Sequence, residues 1–118
     1  MEIHVAELGP RSYRIDIVAD LNVVENIQAS LQNYLTENSL KIEDEDFYIA
    51  EYLMYQDKID IEDYYGAITN EEVTFDDALD YAGILTSFGI EDGKLVLTIE
   101  DAQGGYDEQM VEDFFVKI

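Results

Sequence analysis

The first third of the chain alternates its apolar positions and then repeats them at a longer spacing. Apolar and polar side chains alternate over residues 2–8 and 13–18, and a Gly-Pro pair separates the two runs, which is typical of a β-hairpin. Over residues 23–36, apolar side chains recur at every third or fourth position, which predicts an amphipathic helix. Asn22 followed by Glu25 fits a capping box at the start of that helix.

The middle of the chain supports two interpretations. Residues 47–55 are rich in aromatic and branched side chains, which favours a strand. Phe47, Ala50 and Met54 would also form an apolar stripe along a helix. We favour the strand, and we predict a second short strand at residues 59–62, where apolar and charged side chains alternate.

Capping and turn signals organise the last third. Thr74 followed by Asp77 is a second capping-box candidate, and apolar residues at helical spacing predict a helix that ends at Gly89. Alternation over residues 94–100 predicts a further strand, and residues 107–118 fit either a short helix or a last strand.

Chain length and composition suit a single domain. A chain of 118 residues fills one modest core. We therefore expect one acidic domain over residues 1–118, of the α+β class, with a small antiparallel sheet and about two helices packed on one face. Cysteine, a secretory signal and a long apolar run are all absent from the sequence. We therefore expect a soluble, intracellular protein without disulfides.

Charge changes the picture most. The chain has 28 Asp and Glu against 6 Lys and Arg, a net charge of −22, yet 47% of its residues are hydrophobic. Acidic disordered tails lack that apolar content, so we expect a folded domain that tolerates strong self-repulsion. Because surfaces of mixed sign are the default for solubility, we favour a functional acidic face over a merely solvated one. Residues 37–80 carry fifteen of the acids and only two lysines.

Recognisable catalytic chemistry is missing. His4 is the sole histidine, and the sequence contains neither a nucleophile-elbow motif nor a glycine-rich phosphate loop. Residues 57–66 are acidic, but their spacing and glycine position do not fit a calcium-binding loop. We therefore predict a protein that is not an enzyme and that uses no cofactor or metal.

The acidic middle supplies the candidate partner-binding residues. Acids two apart on a strand, or three to four apart on a helix, lie roughly 5–7 Å from each other, a spacing similar to that of neighbouring phosphates along a nucleic-acid strand. At least half of the tyrosines in this region are expected to be core or sheet-edge residues. Tyr64 and Tyr65 are predicted to be exposed interface anchors, because tyrosine supplies contact area and stacks on arginine. The predicted partner-binding residues are Glu43, Asp44, Glu45, Asp46, Glu51, Asp57, Asp60, Glu62, Asp63, Tyr64, Tyr65, Glu71, Glu72, Asp76, Asp77 and Asp80.

In residues 43–46, 57–63 and 71–80, the chain resembles the DNA-mimic inhibitors of phages and mobile elements, such as anti-CRISPR and antirestriction proteins and inhibitors of DNA-repair glycosylases. The resemblance is one of charge and composition, without a shared motif. It implies a stoichiometric inhibitor that occupies the basic DNA- or RNA-binding surface of a host defence or DNA-processing protein. The implied partner is a basic nucleic-acid-binding protein or nuclease complex, and the implied location is the cytoplasm of a bacterial host cell.

The negative field disfavours direct binding to nucleic acid or to an anionic membrane, and a homodimer is compatible with the sequence. Two other functions stay open. An immunity or antitoxin protein that neutralises a basic nuclease toxin would use the same attraction between acid and base. An acidic scaffold or subunit of a nucleic-acid machine would also carry such a charge.

Overall fold

The described residues of the computed structural model are 1–42, 46–103 and 107–118. Their strands form one antiparallel sheet in the order β1-β2-β4-β3. The prediction of an α+β fold with an antiparallel sheet is confirmed, although about two helices understates the helix content. In chain order the elements are β1 (Glu2–Gly9), β2 (Ser12–Val18), α1 (Leu21–Glu37), α2 (Ile49–Tyr55), α3 (Ile61–Thr69), α4 (Phe75–Ala82), β3 (Ile84–Glu91), β4 (Lys94–Glu100) and α5 (Glu108–Phe115).

One face of the sheet forms the core. The register aligns Ile17 of β2 with Ile3 of β1 on one side and with Leu95 of β4 on the other, and all three side chains are buried. Helix α1 packs against β3 and β4, and α5 packs against β1. Helix α4 contacts both α2 and α3, so these three helices form a connected unit, here called the helical layer.

The prediction of strands at residues 47–55 and 59–62 is wrong. The first segment contains α2, whose buried residues are Ile49, Ala50, Tyr52 and Leu53. Positions i, i+1, i+3 and i+4 lie on one side of a helix, so burial of this side outweighs the strand preference of the aromatic residues. The second segment runs into α3, which Asp60 caps by accepting a hydrogen bond from the amide of Asp63 at 3.3 Å.

The helix predicted to end at Gly89 is too long. Helix α4 ends at Ala82, Gly83 follows with φ +94°, and the chain then enters β3. A β-bulge between Leu85 and Ser87 places Leu85 opposite Ile99, and Phe88 opposite Leu97. The bulge therefore turns two residues three apart toward the same face of the sheet, and this spacing imitates a helical stripe.

Of the two capping-box predictions, one is confirmed for its N-cap residue. Thr74 accepts a hydrogen bond from the amide of Asp77 at 3.3 Å and begins α4. The prediction of a capping box at Asn22 is wrong, because α1 begins after Asp20, which forms no side-chain cap.

The other face of the sheet is polar and half-exposed. It carries a hydroxyl cluster, in which Thr98 Oγ1 lies 2.7 Å from Thr86 Oγ1 and 2.6 Å from Ser87 Oγ. At the β3 edge of the sheet, Tyr48 forms an isolated antiparallel bridge with Ile84. At the other edge, β1 pairs only with β2 among the described strands.

Candidate partner-binding surface

Most of the predicted partner-binding acids lie on or beside the helical layer. We call this set the helical acidic surface. All of its members are exposed except Glu51 and Asp80, which are half-buried. The set consists of Asp46, Glu51, Asp57, Asp60, Glu62, Asp63, Glu71, Glu72, Asp76, Asp77 and Asp80.

Some of these acids also stabilise the helices that carry them. Asp60 caps α3, Glu62 and Asp63 lie in its first turn, and Asp76 and Asp77 lie in the first turn of α4. Negative charge near a helix N-terminus interacts favourably with the partial positive charge of the helix dipole. Local stability therefore accounts for part of the acidic pattern without a partner.

The spacing predicted for these acids is retained in part. Asp60 and Glu62 do not occupy alternate positions of a strand, because α3 begins between them. On α4, Asp76 and Asp80 are four residues apart, which brings neighbouring side chains to roughly 5–6 Å between their Cβ atoms. Glu43, Asp44 and Glu45 lie outside the described residues.

The ion pairs of the described residues are concentrated on the sheet. Arg14 Nε lies 2.9 Å from Asp16 Oδ1, and Lys94 Nζ lies 3.5 Å from the second oxygen of Asp16. Arg14 also pairs with Glu91 at 3.4 Å. Burial alone would raise the pKa of Asp16, but the hydrogen bond and charge of Arg14, together with Lys94, lower that pKa below its ordinary value.

By contrast, no acid of the helical acidic surface forms an ion pair with a described residue. The nearby Lys58 forms no ion pair with these acids, and its Nζ donates a hydrogen bond to the main-chain oxygen of Ile118. The basic residues of the sheet strands are thus paired with acids, whereas the helical acidic surface presents uncompensated negative charge to solvent.

Glu51 and Asp80 lie beside aromatic groups. Burial raises the pKa of Glu51 above its ordinary value. Burial also raises the pKa of the Tyr48 hydroxyl, with further contributions from the charge of Asp80 and a hydrogen bond to it. These two acids lie where the helical acidic surface meets the protein interior.

The prediction that Tyr65 is exposed is wrong, and that for Tyr64 holds only in part. Tyr65 is 3% exposed and Tyr64 is half-buried. The Tyr65 ring centroid lies 5.0 Å from that of Tyr64, 5.0 Å from that of Tyr81 and 6.1 Å from that of Phe114. Tyr64 and Tyr65 belong to an aromatic cluster because Phe114 of α5 packs against both rings and covers Tyr65.

Other tyrosines divide between the core and the surface. Tyr52 is buried and donates a hydrogen bond to Ser30 Oγ at 2.8 Å, as a core tyrosine should. Tyr55 is 55% exposed and donates to Glu37 at 2.9 Å. Tyr55 was not among the predicted partner-binding residues, although it lies between Glu51 and Asp57 in the sequence.

The aromatic cluster borders a cleft of about 420 Å³, here called the tyrosine cleft. Its residues come from α3, from the end of α4, from α5 and, with Gln103, from the segment after β4, so no spacing along the sequence could have indicated it. The lining includes Tyr64, Tyr65, Ile68, Tyr81, Met110 and Asp113.

Within residues 1–42, 46–103 and 107–118, no group of three or more His, Asp or Glu side chains is arranged to hold a metal ion. In the same ranges, no helix combines the length and apolar character needed to cross a membrane. Searches of family models, curated proteins and solved structures find no match to this chain.

Proposed function

We propose that this protein is an acidic nucleic-acid mimic that inhibits a host defence or DNA-processing protein by occupying its basic DNA- or RNA-binding surface. The observation that carries the proposal is the set of acids on the helical layer that have no ion-pair partner among the described residues. A folded domain with a net charge of −22 is opposed by self-repulsion. A basic partner would relieve that repulsion on binding.

The physical argument concerns charge and reach. A cleft built to bind phosphates presents Lys and Arg side chains over an extended surface. The acids of α3, α4 and the segment between them offer carboxylates to such side chains, and on α4 Asp76 and Asp80 are spaced by roughly 5–6 Å. Opposite fields accelerate association and fix orientation more than they add affinity, which suits a competitor of nucleic acid.

The first experiment identifies the partner and its binding mode. The full chain is immobilised, and a nuclease-treated bacterial lysate is passed over it, so that nucleic acid cannot bridge the two proteins. We expect a basic nucleic-acid-binding protein to be retained and to be displaced by added duplex DNA or RNA. Retention should fall steeply with salt, because screening shortens the reach of exposed charges from roughly 8 Å at physiological ionic strength to about 3 Å at 1 M. A partner that binds nucleic acid simultaneously would contradict the proposal.

A matched pair of variants tests where the partner binds. Glu71→Lys with Glu72→Lys reverses two exposed acids of the helical acidic surface that cap no helix. Glu2→Lys with Glu7→Lys makes the same change of net charge on β1. A single exposed charge contributes only about 0.2–1 kcal/mol. Each reversal removes one attraction to the basic partner and adds one repulsion, so the Glu71 and Glu72 pair together should weaken binding roughly tenfold. If the β1 pair has the larger effect, the surface is assigned wrongly.

The same binding assay separates this proposal from an immunity function. If the captured partner is a nuclease that loses its activity but still binds nucleic acid outside its active site, this protein is an immunity protein that blocks the active site. Loss of substrate binding supports the nucleic-acid mimic.

A further inference from the structure

The tyrosine cleft combines aromatic and anionic groups. Its lining contains three tyrosines and Asp113 and, among the described residues, no Lys or Arg. Asp113 is exposed and accepts a hydrogen bond from Gln109 at 2.9 Å through one oxygen. The other oxygen has no described partner. Aromatic faces carry negative electrostatic potential, so the cleft is suited to a cation.

Tyr65 supplies an independent sign that the cleft takes a ligand. Its side chain is 97% buried, yet its hydroxyl makes no hydrogen bond to a described residue. Every fully enclosed side-chain polar atom of the described residues has a hydrogen-bond partner. The unpaired Tyr65 oxygen is therefore not fully enclosed, and Tyr65 lines the cleft. An unpaired hydroxyl in a nearly buried side chain favours a ligand that can donate hydrogen bonds.

We infer that the tyrosine cleft receives one arginine side chain of the basic partner. This inference rests on the proposed function and specifies one anchor of the interface. A guanidinium group is planar, stacks on aromatic rings and carries five N–H donors. It can therefore stack against the half-buried rings of Tyr64 and Tyr81 while it donates to the hydroxyl of Tyr65 and to the free oxygen of Asp113.

Arginine fits the cleft better than the other candidate side chains. An apolar side chain would leave the Tyr65 hydroxyl and the Asp113 carboxylate without partners. A lysine ammonium is compact, strongly hydrated and unable to stack as a plane. Arginine also makes cation–π contacts more often than lysine does.

Two short peptides of equal charge test this preference. One contains only lysine, and the other has a single arginine at its centre in the same lysine background. Their binding to the full chain is measured by fluorescence anisotropy at about 50 mM salt, where the Debye length still exceeds 10 Å. We expect the arginine peptide to bind roughly threefold to thirtyfold more tightly, the range that one cation–π contact supplies.

The variants compare two adjacent positions on α3. Ile68 lines the cleft and is 44% exposed, so Ile68→Lys places an internal cation in it. Ala67 is also exposed but does not line the cleft, so Ala67→Lys adds the same charge outside. We expect Ile68→Lys to abolish the preference for arginine and Ala67→Lys to retain it. Asp113→Asn should reduce the preference, which provides a second test at an exposed carboxylate.

The outcomes separate the inference from the proposed function. Equal affinity of the two peptides, or an arginine preference that survives Ile68→Lys, would overturn the role of the cleft. The proposed function would be unaffected by that result, because it requires only that the acids attract a basic partner. Failure of both peptides to bind at low salt would remove the electrostatic basis of the proposed function as well.

Discussion

Gly83 joins the helical layer to the sheet, and its replacement by alanine tests the fold directly. The residue has φ +94° and ψ 177°, a combination that is essentially restricted to glycine. Its amide donates to the carbonyl of Asp80 at 3.2 Å, and its own carbonyl accepts from the amide of Ile49 at 3.3 Å. The end of α4 and the start of α2 therefore both depend on the backbone conformation of Gly83.

The magnitude follows from two contributions. Holding a non-glycine residue in this region of backbone space costs about 1–3 kcal/mol. A Cβ atom added to Gly83 would also lie 2.8 Å from the carbonyl oxygen of Glu100 and 3.2 Å from Ala102 Cβ. Such crowding costs about 1–3 kcal/mol more. We therefore expect Gly83→Ala to lower the free energy of unfolding by about 3 kcal/mol or more, out of a total of roughly 5–15 kcal/mol.

Chemical denaturation of the full chain measures this effect, and Gly89→Ala is the matched control. Gly89 lies within β3, has no positive φ, and an added Cβ there meets no atom within 4 Å. Because glycine in a strand interior is about 0.5–1 kcal/mol less favourable than alanine, Gly89→Ala should leave stability unchanged or raise it. If the two variants differ by less than about 1 kcal/mol, the strain assigned to Gly83 is wrong.

The carboxylates of Glu51 and Asp16 should respond to pH in opposite directions. The pKa of Glu51 is raised by burial, so its ionised form opposes folding above that pKa. Glu51→Gln should raise stability by about 0.5 kcal/mol at pH 7, and the gain should shrink as the pH falls through the Glu51 pKa. A gain that grows in acid would contradict this. Asp16 has a lowered pKa in spite of burial, because of Arg14 and Lys94, so its stabilising effect is present at pH 7 and is lost as the pH falls through that pKa. Asp16→Asn should therefore lower stability by about 1 kcal/mol at pH 7, with a smaller loss in acid, as followed by thermal melts across pH.

Local pattern predicted the parts of the fold in which one face of an element is buried. Strands β1, β2 and β4 and helix α1 were found because their apolar residues repeat with the period of the element. Strand β3 was missed because its bulge gives Leu85 and Phe88 a helical spacing. The glycine between α4 and β3 was the available signal, since glycine with positive φ commonly ends a helix.

Helix α3 could have been predicted and α2 could not. Asp60, followed by acids in the first helical turn, is a recognised start signal, but the alternation of residues 59–62 concealed it. For α2, aromatic content and helical spacing gave conflicting indications, and packing against α4 decided between them. The acidic region of the site was evident from charge alone. The tyrosine cleft was not, because its residues meet only when α3 and α5 pack together.

The net negative charge should also keep the protein from aggregating through the edge strand β1. An edge strand offers unpaired peptide groups that can template pairing with another copy. At neutral pH, two molecules of charge −22 repel each other and this contact is suppressed. Near the isoelectric point of about 4.1 the repulsion disappears. Solutions of this protein should therefore become turbid on mild acidification, while the folded core is still intact, and should clear when the pH is restored.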